Sequence, residues 1–454
     1  RDQVTITENV KFGDVSATAG LEVLARTHYN HHLYWDTSYQ TDKKSAQTNY
    51  QFFHNQAYNN PPIPMERFGV QMQNGIEYGF HFTQQEEQLG IAAAYKELFD
   101  RTPTGTEGST TIRLKDYYDF YPLLVTLTMP GNILVWESDL YIDPAPEPGT
   151  EEYIIETFRN FFRIPVLEDE TVEISITKNA DGSMNSSGSG STDSDAFYIW
   201  TLSALTDDTC YFTFNPHTNN GNVVDTSLIP GGYGIYCLPY SQDRIVKDGM
   251  NISGILIDEL SMVYSLNPED RVFDLYVNPD QTKLLLLTEE NNICVLTVID
   301  METMKPLQRL ELADLGEEDS VWNTYYYDDF FALYLSGNQL AVVDINEDKE
   351  YEHQFTVNLT DEAEEGYFPR ISAVAVMDWD GKNLVVSDFL SNSYRWSNMD
   401  SPRYCSFYLA VYDESGLLYY GEYLSSLDAG NDLNNYANSC RSIDYSPLSV
   451  KWTD

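Results

Sequence analysis

Residues 272–312 read VFDLYVNPDQTKLLLLTEENNICVLTVIDMETMKPLQRLEL. Four strand-like runs follow one another here, each cut off by a turn: VFDLYV, KLLLLT, ICVLTVID and PLQRLEL. The first turn is Asn278-Pro279-Asp280 and the last Met301-Glu302-Thr303, both rich in residues that interrupt a strand.

One four-stranded antiparallel sheet per ~40–45 residues is the period of a β-propeller. The stretch therefore predicts an all-β chain folded as a single β-propeller domain over 1–454. The order of strand, xPDxxK turn, apolar strand, xxVID strand and xTxK turn also resembles the YVTN and quinoprotein-like repeat family. That resemblance implies a propeller and brings no catalytic motif.

Working outward, 320–359 repeats the pattern, with AVVDINEDK matching LTVIDMETMK in the third strand and its turn. Residues 371–427 continue it, with hairpin signals at Asp380-Gly381 and Ser415-Gly416. Upstream, 195–270 supplies four more strands. Residues 66–120 and 121–180 are read as two further units, although 83–100 (TQQEEQLGIAAAYKELFD) suits a helix as well as a hairpin. A last unit pairs the C-terminal SIDYSP and LSVKWTD with residues 1–60. Seven four-stranded blades result, the ring closed by N- and C-terminal strands; six or eight are the alternatives. Residues 181–195, DGSMNSSGSGSTDSD, have almost nothing apolar and are expected to form a flexible surface loop.

Composition narrows the function. Hydrophobic residues make up 42% of 454 and aromatics 14%, with 34 tyrosines, enough for a packed β core. Seventy-one acidic residues against 26 basic give a net charge of −45. Such a field repels phosphate backbones and anionic membrane surfaces, so nucleic acid and anionic lipid are excluded as partners. The acidity is densest from Glu311 to Glu365, with 16 Asp or Glu against Lys349 alone, a candidate face for a basic partner. Apolar runs such as Leu284 to Leu287 fall far short of the ~18 residues of a membrane span. An acidic, lysine-poor chain that opens on Arg1 is expected to be extracytoplasmic, secreted or surface-anchored through a removed N-terminal segment. Of five cysteines, Cys294 reads as a buried thiol, while Cys210–Cys237 and Cys405–Cys440 are pairs that could bridge.

Chemistry-bearing motifs are sparse. His28, His31, His32 and His54 cluster near the N-terminus, but neighbours on a strand point to opposite faces, so no metal site is read there. Asp378–Asn383 (DWDGKN) starts like a calcium loop, yet its twelfth position is Phe389 rather than glutamate, so it reads as a turn. No cofactor is expected; calcium is the cation such acidity would attract. GxSxG, HExxH, a phosphate loop and sialidase Asp boxes are all missing. Asn185, Asn251 and Asn358 open N-x-S/T sequons, frequent by chance in so Asn- and Ser-rich a chain.

The excursion 390–403 (LSNSYRWSNMDSPR) breaks strand alternation and carries Tyr394, Arg395 and Trp396. Flat aromatic and guanidinium groups suit sugar rings or peptide side chains, so these three are the candidate ligand-binding residues, with Trp35 in HHLYW a weaker case. The competing reading is that Trp396 folds back to cap its blade. The expected function is non-catalytic recognition of a protein or glycan at the cell surface. The alternative is a propeller glycoside hydrolase or lyase using channel-lining carboxylates.

Overall fold

The computed structural model describes residues 4–29, 33–52, 69–74, 90–129, 132–136, 147–191, 195–241, 252–316, 320–361, 369, 371, 374–390, 406–426 and 445–453. The chain forms two compact units, Arg1–Pro64 with Gly316–Asp454, and Met65–Leu315. Seven antiparallel sheets are found among the described residues.

In the first unit, β1 (Ile6–Gly13) lies at the edge of a sheet completed by β26 (Gly416–Ser425), β25 (Phe407–Asp413), β24 (Leu384–Phe389) and β23 (Val376–Trp379). A second sheet runs β27 (Tyr445–Trp452), β2 (Leu21–Tyr29), β3 (Leu33–Gln40), β4 (Ser45–Phe52). The expected pairing of the C-terminal segment with the N-terminal region is thus present, Val23 opposite Val450, but Tyr445–Trp452 is one strand where SIDYSP and LSVKWTD predict two, and β1 joins the sheet of 371–427 instead. The third sheet is β19 (Val321–Tyr326), β20 (Phe330–Leu335), β21 (Gln339–Ile345), β22 (Tyr351–Asn358).

The added strand β1 is held by more than its ladder. Gly13, at φ +75°, approaches β26 so closely that a Cβ would meet the Leu418 carbonyl oxygen at 1.9 Å. Tyr419 and Tyr423 both donate to Glu8 Oε1 at 3.3 Å, and Lys44 Nζ lies 3.0 Å from Glu8 Oε2. Burial, then the Glu8 charge, pushes the adjacent Tyr39 phenol up to about 12.

In the second unit, β11 (Thr201–Leu205), β12 (Thr209–Phe214), β13 (Gly234–Pro239) and β14 (Ser261–Ser265) form one four-stranded meander. The decisive stretch forms the next: β15 (Arg271–Val277), β16 (Lys283–Glu290), β17 (Ile293–Asp300), β18 (Lys305–Asp314). Its central strands are buried on both faces, Leu284 to Leu287 all at 2% exposure or less, which is why they read as unbroken apolar runs. Each such leucine removed from water contributes ~1.5–3 kcal/mol. The Asn278 carboxamide closes the first turn, Oδ1 accepting from Thr282 N at 3.0 Å and Lys283 N at 2.7 Å.

The remaining sheets are β5 (Gly69–Asn74), β7 (Leu123–Met129), β8 (Asn132–Trp136), and β10 (Met184–Ser191), β9 (Thr171–Lys178), β6 (Glu107–Arg113). Here the expected units 66–120 and 121–180 are corrected. β6 follows β5 in the chain but pairs with β9, so the two sheets interleave. Helices separate their strands. α1 (Ile91–Arg101) buries Ile91, Ala94, Tyr95 and Leu98, one helical face, which decides 91–101 in favour of helix. α2 (Glu151–Phe161) was not anticipated, although its signals are local. Thr150 Oγ1 caps it by accepting from Tyr153 N at 3.2 Å, Glu151 and Glu152 occupy the first turn, and Ile154, Ile155 and Phe158 are buried.

Two further expectations change. Most of 181–195, read as a loop, is strand: β10 pairs with β9 from Met184–Lys178 to Ser191–Val172. Small polar side chains do not prevent a backbone ladder on a sheet edge, where no side chain needs a core. Cys210 and Cys237 are free thiols, not a bridge. Tyr211 lies opposite Cys237 and Leu238 opposite Cys210, so the two sulfurs point to opposite faces of the sheet. Cys294 is a buried free thiol, and burial pushes it up to about 12. Cys405 and Cys440 lie outside the described residues.

The match of AVVDINEDK to LTVIDMETMK holds for the strands but not the turn. Asp300 Oδ1 accepts from Thr303 N and Oγ1 at 2.7 Å, whereas the turn after β21 is closed by Asn346, whose Oδ1 accepts from Glu350 N at 2.9 Å. No helix among the described residues is long and apolar enough to cross a membrane.

Candidate ligand-binding site

The first strand of two sheets carries the same irregularity. On β15, Val272 faces Thr288 and Asp274 faces Leu287, which leaves Phe273 as the extra residue of a β-bulge. On β19, Val321 faces Leu335 and Asn323 faces Tyr334, which leaves Trp322. Trp322 is 57% exposed. Its ring meets Tyr334 edge-on, centroids 5.5 Å apart at 76°, so the indole is propped rather than loose.

One amide bonds this aromatic pair and a second neighbours it in the chain. Tyr334 Oη donates to Asn338 Oδ1 at 2.8 Å. Asn338 sits at φ +59° behind Gly337 at φ +73°, a left-handed turn that Gly and Asn tolerate. Asn323 Oδ1 accepts from Thr324 N at 3.0 Å. Tyr325 Oη donates to Val374 O at 2.8 Å.

Behind the bulge, one buried cluster joins the β19–β22 sheet to the β23–β26 sheet and takes in Tyr325, Tyr334 and Tyr408. Asp388 on β24 lies opposite Tyr408 on β25. Burial pushes the Asp388 carboxyl above the usual carboxylate range, opposed by the Phe389 N–H donated to Oδ1 at 2.6 Å. Burial raises the Tyr408 phenol, and the Asp388 charge adds to it. Tyr325 is raised by burial first, lowered by a hydrogen bond with Asn323, and raised again by Asp388. No second carboxylate contributes to the shift of Asp388.

The sequence-predicted residues Tyr394, Arg395 and Trp396 lie outside the described residues. Their segment leaves and re-enters at described positions, where Leu390 N donates to Ser406 O at 2.8 Å. The excursion is therefore the β24–β25 connection and starts just beyond Asp388. Trp35 lies on β3 opposite Thr27 and Tyr50; the side chains of Trp35 and His28 are outside what is described, as are His31, His32 and His54. Among the described residues, no three His, Cys, Asp or Glu converge as metal ligands.

Asp378–Asn383 forms the β23–β24 turn. Asp380 Oδ1 accepts from Lys382 N at 2.8 Å and Asn383 N at 2.6 Å, and Asp378 Oδ2 accepts from Trp452 N at 2.6 Å. The acidic run begins on β18, where Glu311 and Asp314 line an open depression of about 590 Å³ beside Asn291 and Asn292. Sequence reading passed over Trp322. The available signal was alignment of Val321-Trp322-Asn323 with Val272-Phe273-Asp274, which places an indole at the bulge.

No family model and no curated protein matches the chain. Among solved structures, a protein of Lactobacillus plantarum is 12% identical over 95% of this chain and 99% of its own, with a TM-score of 0.29. The periplasmic gluconolactonase of Pseudomonas aeruginosa is 10% identical over 87% of this chain and 92% of its own, with a TM-score of 0.31. A chain of the mitotic checkpoint complex is 12% identical, at a TM-score of 0.25, and this chain spans about half of it (48%). Superposition this poor carries neither a family nor an activity to this chain.

Proposed function

We propose that the chain is a seven-bladed β-propeller over 1–454 acting as an extracytoplasmic recognition module, with the Trp322 bulge as its contact site. Among the described residues, seven sheets, four of them four-stranded, one five-stranded and two three-stranded, support the blade count, and the β27–β2 pairing supports closure by the chain ends. The observation that carries the function is the exposed indole of Trp322, propped by Tyr334, whose hydroxyl donates to the Asn338 amide. An aromatic anchor ringed by hydrogen-bonding groups is the usual centre of a binding surface. Acidic, lysine-poor composition supports the location.

Glycoside cleavage is the weaker reading. It needs two carboxylates about 5–10 Å apart, and Asp378, raised by burial first and also by the Asp329 charge, is where such a pair would be sought. A thermal-shift screen of the wild-type chain and Trp322→Ala against glycans and basic peptides tests the proposal. A ligand that raises the Tm of wild type alone supports it; equal shifts in both chains remove the bulge as the site.

A further inference from the structure

We infer that the Trp322 bulge binds the ring of an uncharged sugar within a neutral glycan. This rests on the recognition reading above and gives it a ligand class. The face of a pyranose carries C–H groups and its rim carries hydroxyls. It needs a flat apolar plate with hydrogen-bonding groups beside it, and the bulge supplies both.

The plate is the indole of Trp322, exposed and set at a fixed tilt by the edge-on contact with Tyr334. The groups beside it are amides whose orientation is fixed by their own bonds. Asn338 gives its carbonyl oxygen to the Tyr334 hydroxyl, which leaves its NH2 to donate. Asn323, next to the indole in the chain, is engaged by its own strand, its Oδ1 accepting from Thr324 N and its amide hydrogen-bonding the Tyr325 phenol.

Charge selects among ligands. Residues 321–326 and 336–338 contain no Asp, Glu, Lys or Arg, in a chain whose net charge is −45. An anionic polysaccharide finds no cation here to offset the field that repels it. A basic peptide finds no carboxylate among these residues, but Glu317, Glu318 and Asp319 precede them and Asp328 and Asp329 follow them in the chain, so it is the competing ligand of the test. A neutral ring needs neither. Asp388 is half-buried opposite Tyr408 on the neighbouring strand.

The test is isothermal titration of the full chain with neutral cello-, manno-, xylo- and malto-oligosaccharides, and in parallel with alginate and heparin oligomers and a lysine-rich peptide. The expected result is binding of at least one neutral series and of neither anionic one. Trp322→Ala is expected to weaken that binding at least tenfold, which is ~1.4 kcal/mol. Trp322→Phe, which keeps a smaller plate, is expected to lie between the two, and circular dichroism of both variants confirms folding. Neutral binding indifferent to Trp322, or no neutral binding, overturns the inference. A basic peptide bound in a Trp322-dependent way, with no sugar bound, overturns the sugar while leaving the recognition reading standing. Loss of every Trp322-dependent ligand overturns both.

Discussion

The β15–β18 and β19–β22 sheets share a device in different surroundings. Each first strand has one extra residue near its start, Phe273 in one and Trp322 in the other, followed by an Asp or Asn. Both acidic or amide oxygens accept from the next backbone N–H: Asp274 from Leu275 at 2.8 Å, Asn323 from Thr324 at 3.0 Å. The surroundings then diverge. Asn215 grips Val272 from outside the strand, its Nδ2 donating to the Val272 carbonyl at 2.8 Å and its Oδ1 accepting from the Val272 N–H at 2.6 Å. No described side chain grips Val321 in that way, and the residue beside it is an exposed indole. A bulge re-aims one side chain, and the two sites differ in what holds the residue before it and in the exposure of the bulged side chain, Phe273 half-buried and Trp322 57% exposed.

The largest effect should come from breaking the clamp. Asn215→Ala leaves two backbone groups of Val272 without their partner, so a loss of about 1–3 kcal/mol is expected in urea unfolding. Ligand binding at Trp322 should be unchanged. A loss below the error of the measurement would mean that the two bulges are equivalent after all.

A smaller effect is expected from Tyr334→Phe, which keeps the prop under the indole and removes the hydroxyl bound to Asn338. Its stability should fall by about 0.5–1.5 kcal/mol, the usual net value of one hydrogen bond. Sugar affinity should fall too if the Asn338 amide is oriented through that bond, and titration of this variant separates the two roles.

The pH dependence sharpens the account of the buried cluster. The folded-state pKa of Asp388 is raised, so the folded chain binds its proton more readily than the unfolded one. Its favourable contribution is present at low pH and is lost as pH rises through the folded pKa. Asp388→Asn should therefore gain stability relative to wild type at neutral pH and lose that advantage on acidification. A constant difference across pH 3–7, a range of about four units around the carboxylate value, would show Asp388 to be unperturbed. The smallest effect is for Trp322→Ala, expected to change stability by no more than about 0.5 kcal/mol because its side chain meets water.

Much of the fold was legible in short-range pattern. The turn residues Asn278, Asp380 and Asp413 do what their types suggest, each accepting backbone N–H groups within five residues. The unbroken apolar runs of β16 and β17 announced strands covered on both faces. The candidate site was less legible. Tyr394, Arg395 and Trp396 were conspicuous because they interrupt a pattern, whereas Trp322 was hidden inside one. An indole in a strand looks like core until its neighbours are known.

Local sequence determined where strands and turns fall, because side-chain alternation and turn geometry depend on a few adjacent residues. Pairing was another matter. The sequence by itself did not show that β6 bypasses β5 to pair with β9, nor that Ser-rich β10 is a strand, nor that Cys210 and Cys237 face apart. Those outcomes, and the exposure of Trp322, were decided by tertiary structure. Ladder partners and burial are set by segments far away in the chain, whose arrangement no local pattern records.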